Sequence, residues 1–296
     1  MSGSKPDLQH PQSSIVRCGS GFYPDIDTHA DMTTTPGIPA PLSRYQPPPD
    51  LLRGRFILVT GAADGVGRAV ALACARTGAT VLALDRKRRK LETLYDEIAD
   101  AGLVEPILIP HNLEGSDPSA YEDVAGGIAH DAGRLDGIAH IAGILPGFSA
   151  LHRLKLDEWA AVMQVNLYAP YLLTRACLPL LHNADSASVV FTSAAAGRRG
   201  AAYWGAYAVA YGGIERLSEI FADELEANTS IRFNTLDTGP VATDMRSRTF
   251  PGEVLAAVSQ PGEIAPAYLF LLGPDSETLS GRAFDAQGAS SEEESP

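Results

Sequence analysis

The chain is short of cysteine, of positive charge and of long apolar runs. Its three cysteines in 296 residues, Cys18, Cys74 and Cys177, show neither metal nor redox spacing, so no disulfide framework and no metal site is expected. Cys74 and Cys177 fall inside apolar helical patterns and read as buried core thiols. Lys and Arg together number 23 against 36 Asp and Glu, a formal net charge of −13. Phosphate backbones demand a basic face, so nucleic acid is excluded as a partner. The one basic run, "DRKRRK" at residues 85–90, reads as the solvated first turn of a helix. No apolar stretch approaches the ~20 residues that cross a bilayer, and no charged segment precedes an apolar one at the N-terminus. A cytoplasmic protein is expected.

What the chain does have is apolar residues, 45% of the total, enough for a substantial core. They are unevenly placed. Residues 1–50 are rich in Pro, Ser, Thr and Gly without sustained periodicity, and read as a disordered, proline-rich tail; Met32 offers a second candidate start. Residues 289–296 form a small acidic tail. Between them, apolar strands alternate with helical patterns. Strands are expected near residues 55–60, 80–85, 106–110, 136–143, 187–193, 230–236 and 281–286. Helices are expected near 66–77, 86–101, 121–132, 156–182 and 207–228. Strands apolar along their whole length are buried on both faces, which calls for a parallel sheet covered by helices. The expected fold is α/β: a single Rossmann-type, doubly wound parallel sheet over residues 51–288.

"TGAADGVG" at residues 60–67 joins the first strand to the first helix. Glycines at that junction permit a tight turn and let the backbone approach a pyrophosphate lying on the helix N-terminus. Gly61, Asp64, Gly65, Val66 and Gly67 are therefore candidate cofactor residues. Asp85 closes the second strand, near the ~20-residue offset at which an acid holds the adenosine ribose. A carboxylate there repels a 2′-phosphate, and Asp64 adds negative charge on the same side, so NAD(H) is favoured over NADP(H). Arg86 is the counter-signal, since an arginine pairs with phosphate. Asn112 has two readings, an adenine contact or a turn cap.

Taken in order, "TGAADGVG", "IAG" at 141–143, Asn166 in "MQVNLYAP", "FTSAAAG" at 191–197, Tyr207 and "TGPVAT" at 238–243 resemble the short-chain dehydrogenase/reductase family. Within it, "GRRGAAYWGAYAV", "TFPGE" and "FDAQG" look like the YciK-like bacterial oxidoreductases. The resemblance implies an alcohol or carbonyl substrate, with Ala142, Gly143, Gly239, Val241 and Thr243 completing the dinucleotide site. It also implies four catalytic positions: a tyrosine as acid or base, a lysine four residues on that holds the nicotinamide ribose and lowers the phenol's pKa, a serine thirteen residues before the tyrosine, and an asparagine that supports a proton relay. Tyr207 and Asn166 match two of them. Tyr211 stands in place of the lysine and Ala194 in place of the serine. Ser193 substitutes only if the strand bends, because adjacent strand residues face opposite ways. The family's polar residue before "AG" is Ile141, and its Pro-Gly is Thr238-Gly239.

A phenol near pKa 10 is only ~0.1% ionised at pH 7, and Tyr211 has no charge with which to lower it. Two readings of function follow. One is an oxidoreductase binding NAD(H) with attenuated activity through Tyr207; the other is a non-catalytic nucleotide-binding protein or partner subunit. Tyr207, Tyr211 and Ile214 also fit a helical core stripe, Asn166 a structural amide, His140 a buried histidine or a proton donor, and Arg198 and Arg199 an exposed pair or an anion-attracting one. The family's assembly through two long helices implies a homo-oligomer, a dimer or tetramer, or a heteromer with an intact relative.

Overall fold

The computed structural model describes residues 40–115 and 117–288. The expected parts of the two tails at 1–39 and 289–296, with Cys18 and Met32, lie outside the described residues. Among the described residues seven strands form one sheet: β1 (Phe56–Thr60), β2 (Thr80–Asp85), β3 (Ile107–Pro110), β4 (Gly137–His140), β5 (Ala187–Ser193), β6 (Ile231–Asp237) and β7 (Arg282–Asp285), in the order β3-β2-β1-β4-β5-β6-β7. Every pairing is parallel. The order reverses between β1 and β4. In such sheets a ligand crevice opens there, beyond the carboxyl ends of the strands.

The connecting helices are α1 (Gly65–Arg76), α2 (Arg88–Asp100), α3 (Pro118–Asp131), α4 (Leu156–Met163), α5 (Ala169–His182), α6 (Ala195–Arg198), α7 (Gly205–Glu226), α8 (Asp244–Thr249) and α9 (Pro261–Leu272). Both side-chain rows of the central strands are buried, as a sheet covered on both faces requires. Leu58, Leu84, Val189, Phe191 and Phe233 share one core with Tyr121 of α3, Leu173 and Cys177 of α5 and Ile214 of α7. Elsewhere α1 packs closely on α9. Cys74 and Cys177 are buried free thiols, and burial pushes both up to about 12.

Three departures from the sequence expectation have physical causes. Residues 40–50, assigned to the tail, are docked on the domain. Leu42 is buried, the Ser43 N–H donates to the Ala286 carbonyl at 2.8 Å, and the Tyr45 hydroxyl donates to Asp275 at 2.7 Å while its ring meets Phe270 edge-on. Two side chains do this anchoring, and no periodicity announces it. Helix α9 was not expected because it is apolar all round and carries Pro261 and Pro266, so no amphipathic stripe marks it. The long helix of 156–182 is broken by a π-helical turn, Gln164–Tyr168. Such turns insert one residue and are frequent at functional sites; this one carries Asn166. No helix among the described residues is long and apolar enough to cross a membrane.

Candidate active site and dinucleotide cleft

The glycine loop sits where β1 meets α1. Gly61 has φ +71°, a left-handed conformation that favours glycine. A Cβ on Gly67 would meet the Gly61 carbonyl oxygen at 2.1 Å, so only hydrogen fits. Asp64 caps α1, its Oδ1 accepting from the Gly65 N–H at 3.1 Å. Thr60 Oγ1 accepts from the Ile141 and Ala142 N–H groups at 3.0 and 3.1 Å and so ties β1 to the turn after β4. The bare backbone at Gly61, Gly65 and Gly67, facing a helix N-terminus, has the shape and polarity that a pyrophosphate requires.

The charges around the end of β2 correct one expectation. Asp64 does not present free negative charge: its Oδ2 is paired with Lys87 at 3.2 Å and with Lys90. Those lysines hold its carboxyl below the usual range against the opposing effect of burial. Asp85 accepts from the Lys87 N–H at 2.9 Å and the Ala63 N–H at 3.3 Å. Arg86 is paired with Glu114. Asn112 caps the turn after β3, its Oδ1 accepting from the Glu114 N–H at 3.2 Å.

On the other side of the crevice, Thr243 caps α8, its Oγ1 accepting from the Arg246 N–H at 3.2 Å. Its methyl lies 3.2 Å from where a Gly65 Cβ would be, which closes the loop over α1. Val241 bridges to Ser259. Gly239, at φ +64°, is pinned by Gln287, whose Nε2 donates to the Thr238 and Pro240 carbonyls at 2.8 Å each. Sequence reasoning missed Gln287; its side chain acts on a turn 47 and 49 residues away, with no local signal.

Tyr207 and Tyr211 come together at one end of α7. Their ring centroids are 4.5 Å apart, edge to face. Burial pushes the Tyr207 phenol up to about 12; the Tyr211 hydroxyl, hydrogen-bonded to it, opposes that rise, and the Asp237 carboxylate adds to it. Tyr211 is raised further, by burial first. Its hydroxyl occupies the space a Gly143 side chain would need, 2.7 Å from the ideal Cβ. Asn166 is buried, donating from Nδ2 to the Ile144 carbonyl at 2.9 Å and accepting at Oδ1 from the Ile144 N–H at 2.8 Å. Ala194 follows β5 in extended backbone as the cap of α6. Ser193 beside it is buried, its hydroxyl donating to Glu215.

Arg198 is neither an exposed loop residue nor a cleft-mouth cation. It points inward, Nε on Glu215 at 3.0 Å, Nη1 on Asp285 at 2.6 Å and Nη2 on the Phe284 carbonyl at 3.1 Å. Glu215, a second residue the sequence did not single out, also accepts from Thr235 at 2.9 Å. Helix α6 lies hard against α7: a Cβ on Gly197 would sit 2.7 Å from the Tyr211 backbone carbon.

His140 is buried, stacked on Phe191 at 5.0 Å, with Nε2 2.8 Å from Thr174 Oγ1. Burial lowers its pKa from 6.5 to about 3. The folded state therefore resists protonating it. The stabilisation is present above pH 6.5 and drains away as pH falls from 6.5 toward 3. A His140→Phe, Thr174→Val pair removes the titrating group together with its partner, an exchange that is nearly neutral when both polar groups go. Thermal melts across that window are expected to show a flatter acid limb for the pair and a Tm near the parent's at pH 7.

A sheet of this order, a glycine turn at its switch point and a tyrosine pair reaching the turn after β4 define a dinucleotide-binding α/β protein. The short chain dehydrogenase family matches residues 55–253, and the chain belongs to it. The uncharacterized oxidoreductase YciK of Escherichia coli K12 is 40% identical over 82% of this chain and 96% of its own length. A solved short chain dehydrogenase of Pseudomonas syringae is similar at 43% identity and a TM-score of 0.80, covering 82% of this chain and 98% of that one. Another, from Shigella flexneri and complexed with NADP, has 39% identity and a TM-score of 0.78 over 81% of this chain and 100% of that one.

Proposed function

We propose that the chain is an oxidoreductase that binds a nicotinamide dinucleotide and acts on an alcohol or carbonyl with attenuated turnover. The observation that carries this is the partner of Tyr207: a neutral phenol, Tyr211, where an ammonium would lower its pKa. When bound, the dinucleotide supplies or accepts the hydride. The backbone of Gly61, Gly65, Val66 and Gly67 holds the pyrophosphate, Asp85 the adenosine ribose, and Ala142, Val241 and Thr243 the nicotinamide end. Tyr211 stands at the position that would meet the second ribose, its hydroxyl committed to Tyr207. Tyr207 holds the proton at the substrate oxygen but releases it poorly at neutral pH. Asn166, with both amide ends on Ile144, fixes the floor beneath them. The alternative, a non-catalytic nucleotide-binding subunit, is favoured by the same phenol pair and by the methyl of Ala194.

The preference for NAD(H) now rests on Asp85, since Lys87 and Lys90 absorb the charge of Asp64. The Shigella relative carries NADP, so the residue is open to direct test. Asp85→Asn keeps the shape and removes the charge. NADH is expected to bind the parent more tightly than NADPH, and the variant to narrow that ratio about tenfold, read by nucleotide fluorescence. An unchanged ratio removes Asp85 as the discriminator; no nucleotide binding at all removes the cofactor reading.

Self-association has a candidate face. Tyr168, closing the π-helical turn, Tyr171, at the start of α5, and Val209 and Ile220, on α7, are exposed apolar residues, and the two helices touch through the Tyr171–Phe221 ring contact. Size-exclusion chromatography with light scattering is expected to give a dimer or tetramer, and Tyr168→Glu with Ile220→Glu a monomer.

A further inference from the structure

We propose that the aromatic cluster beside Tyr207 binds a neutral, flat ring ketone against the outer faces of Phe148, Trp204 and Phe250; this rests on Tyr207 being the residue that meets the carbonyl. The three rings come from separate segments of the chain. Phe148 meets Trp204 edge-on at 4.8 Å and Phe250 edge-on at 5.2 Å. Trp204 lies 5.6 Å from the Tyr207 ring. Core packing does not account for this arrangement, because Phe148 is 41% exposed and Tyr203, whose carbonyl the Ser149 N–H reaches, is 61% exposed.

The wall beneath is apolar as well. Ile144, Leu154, Trp159 and Met163 pack with Tyr207 around Val162, Ala206 and Ala210. The rim is held under backbone strain. Tyr203 has φ +72°, unusual for a bulky residue, and is fixed there by the Ser149 N–H donating to its carbonyl at 3.1 Å. That bond clamps the Phe148 segment to the Trp204 segment.

The charge pattern selects against anions. Arg246 stacks on Phe250 at 4.4 Å, but both Nε and Nη2 are taken by Glu253, Nη2 at 2.6 Å. Asp237, buried at the end of β6, bears on Tyr207 with negative charge against the positive charge of Arg246, and with Glu253 it leaves the three groups net negative. A substrate carboxylate entering here exchanges water for ring faces and a cation already paired. A flat neutral ring instead adds edge-to-face contacts of the kind the three residues already make with one another.

The test reads the tryptophan emission of the unaltered protein, with the Trp204→Phe protein, which keeps Trp159, as the control for quenching elsewhere. The probes are methyl 4-acetylbenzoate and 4-acetylbenzoate, which share ring and ketone and differ in one charge. The ester is expected to quench saturably with a Kd at least about tenfold below that of the carboxylate, and Phe148→Ala to weaken it about tenfold while Phe148→Tyr restores it. Equal Kd values, tighter carboxylate binding, or indifference to Phe148→Ala overturns the proposal. NADH is titrated into the same samples. NADH bound without ester quenching removes the ring site alone. Ester bound without NADH keeps the ring site and removes the dinucleotide reading.

Discussion

Tyr211→Lys combined with Ala194→Ser is expected to raise the rate of carbonyl reduction about 10²–10³-fold over the parent, measured as NADH consumption on a panel of simple ketones. With the Tyr207 phenol pushed up to about 12, it is a weaker acid than a free phenol and gives its proton to the developing alkoxide less readily. An ammonium at 211 reverses that, because a positive charge close by favours the phenolate. The space for it exists: the Tyr211 side chain reaches Gly143, and a lysine extends as far. A hydroxyl at 194 adds a donor to the developing oxyanion. Ser193 does not supply it, since its own hydroxyl is committed to Glu215. The single variants are expected to gain less than the pair, because such groups act as a unit. Adding Tyr207→Phe to the double variant should abolish the gain, and Tyr211→Lys should move the alkaline limb of the pH–rate profile down. Parent activity already equal to the double variant's, or a gain that survives Tyr207→Phe, would show that another group moves the proton.

The strands were legible because burial on both faces writes a continuous apolar run. β2 and β5 match their expected limits, and β1, β3, β4, β6 and β7 lie within a residue or a few of theirs. The glycine loop was legible for a related reason: its position between strand and helix restricts the side chains that fit, most severely at Gly67. What stayed hidden acts over distance or in the wrong period. Helix α9 has no polar face to give it rhythm, and Leu42 and Tyr45 anchor a segment whose composition reads as tail. The charge of Asp64 was visible, but not that lysines 23 and 26 residues away would cancel it. In the catalytic set, the tyrosine at 211 was readable as a missing ammonium. That its hydroxyl would fill the space against Gly143 and reach Tyr207 needed three dimensions. The aromatic cluster joins residues 148, 204 and 250, and no spacing rule connects them.

Removing the Glu215 carboxylate is expected to have the largest effect on stability. It is a charge in the core, its side chain 5% exposed, and four elements depend on it: Ser193 at the end of β5, Thr235 in β6, Arg198 in α6 and, through Arg198, Asp285 in β7. Breaking such a cluster from one side leaves donors buried without an acceptor, at a cost of about 3 kcal/mol or more. Arg198 is 29% exposed and keeps Asp285, so the lower end of that range applies to Glu215→Ala. For a domain of this size that is a fall in Tm of roughly 6–12 °C. Glu215→Gln retains an acceptor and should lose less than half as much. Differential scanning calorimetry reads both. The cluster also has a functional consequence, because Ser193 and Arg198 bracket Ala194 and hold α6 against the backbone of Tyr211. Glu215→Ala placed in the Tyr211→Lys, Ala194→Ser protein should therefore cancel most of the gained turnover even well below its melting temperature, while NADH binding at the glycine loop persists. If turnover falls only in proportion to the unfolded fraction, the cluster is a structural tie and nothing more, and the geometry at residue 194 is set by the strand end alone.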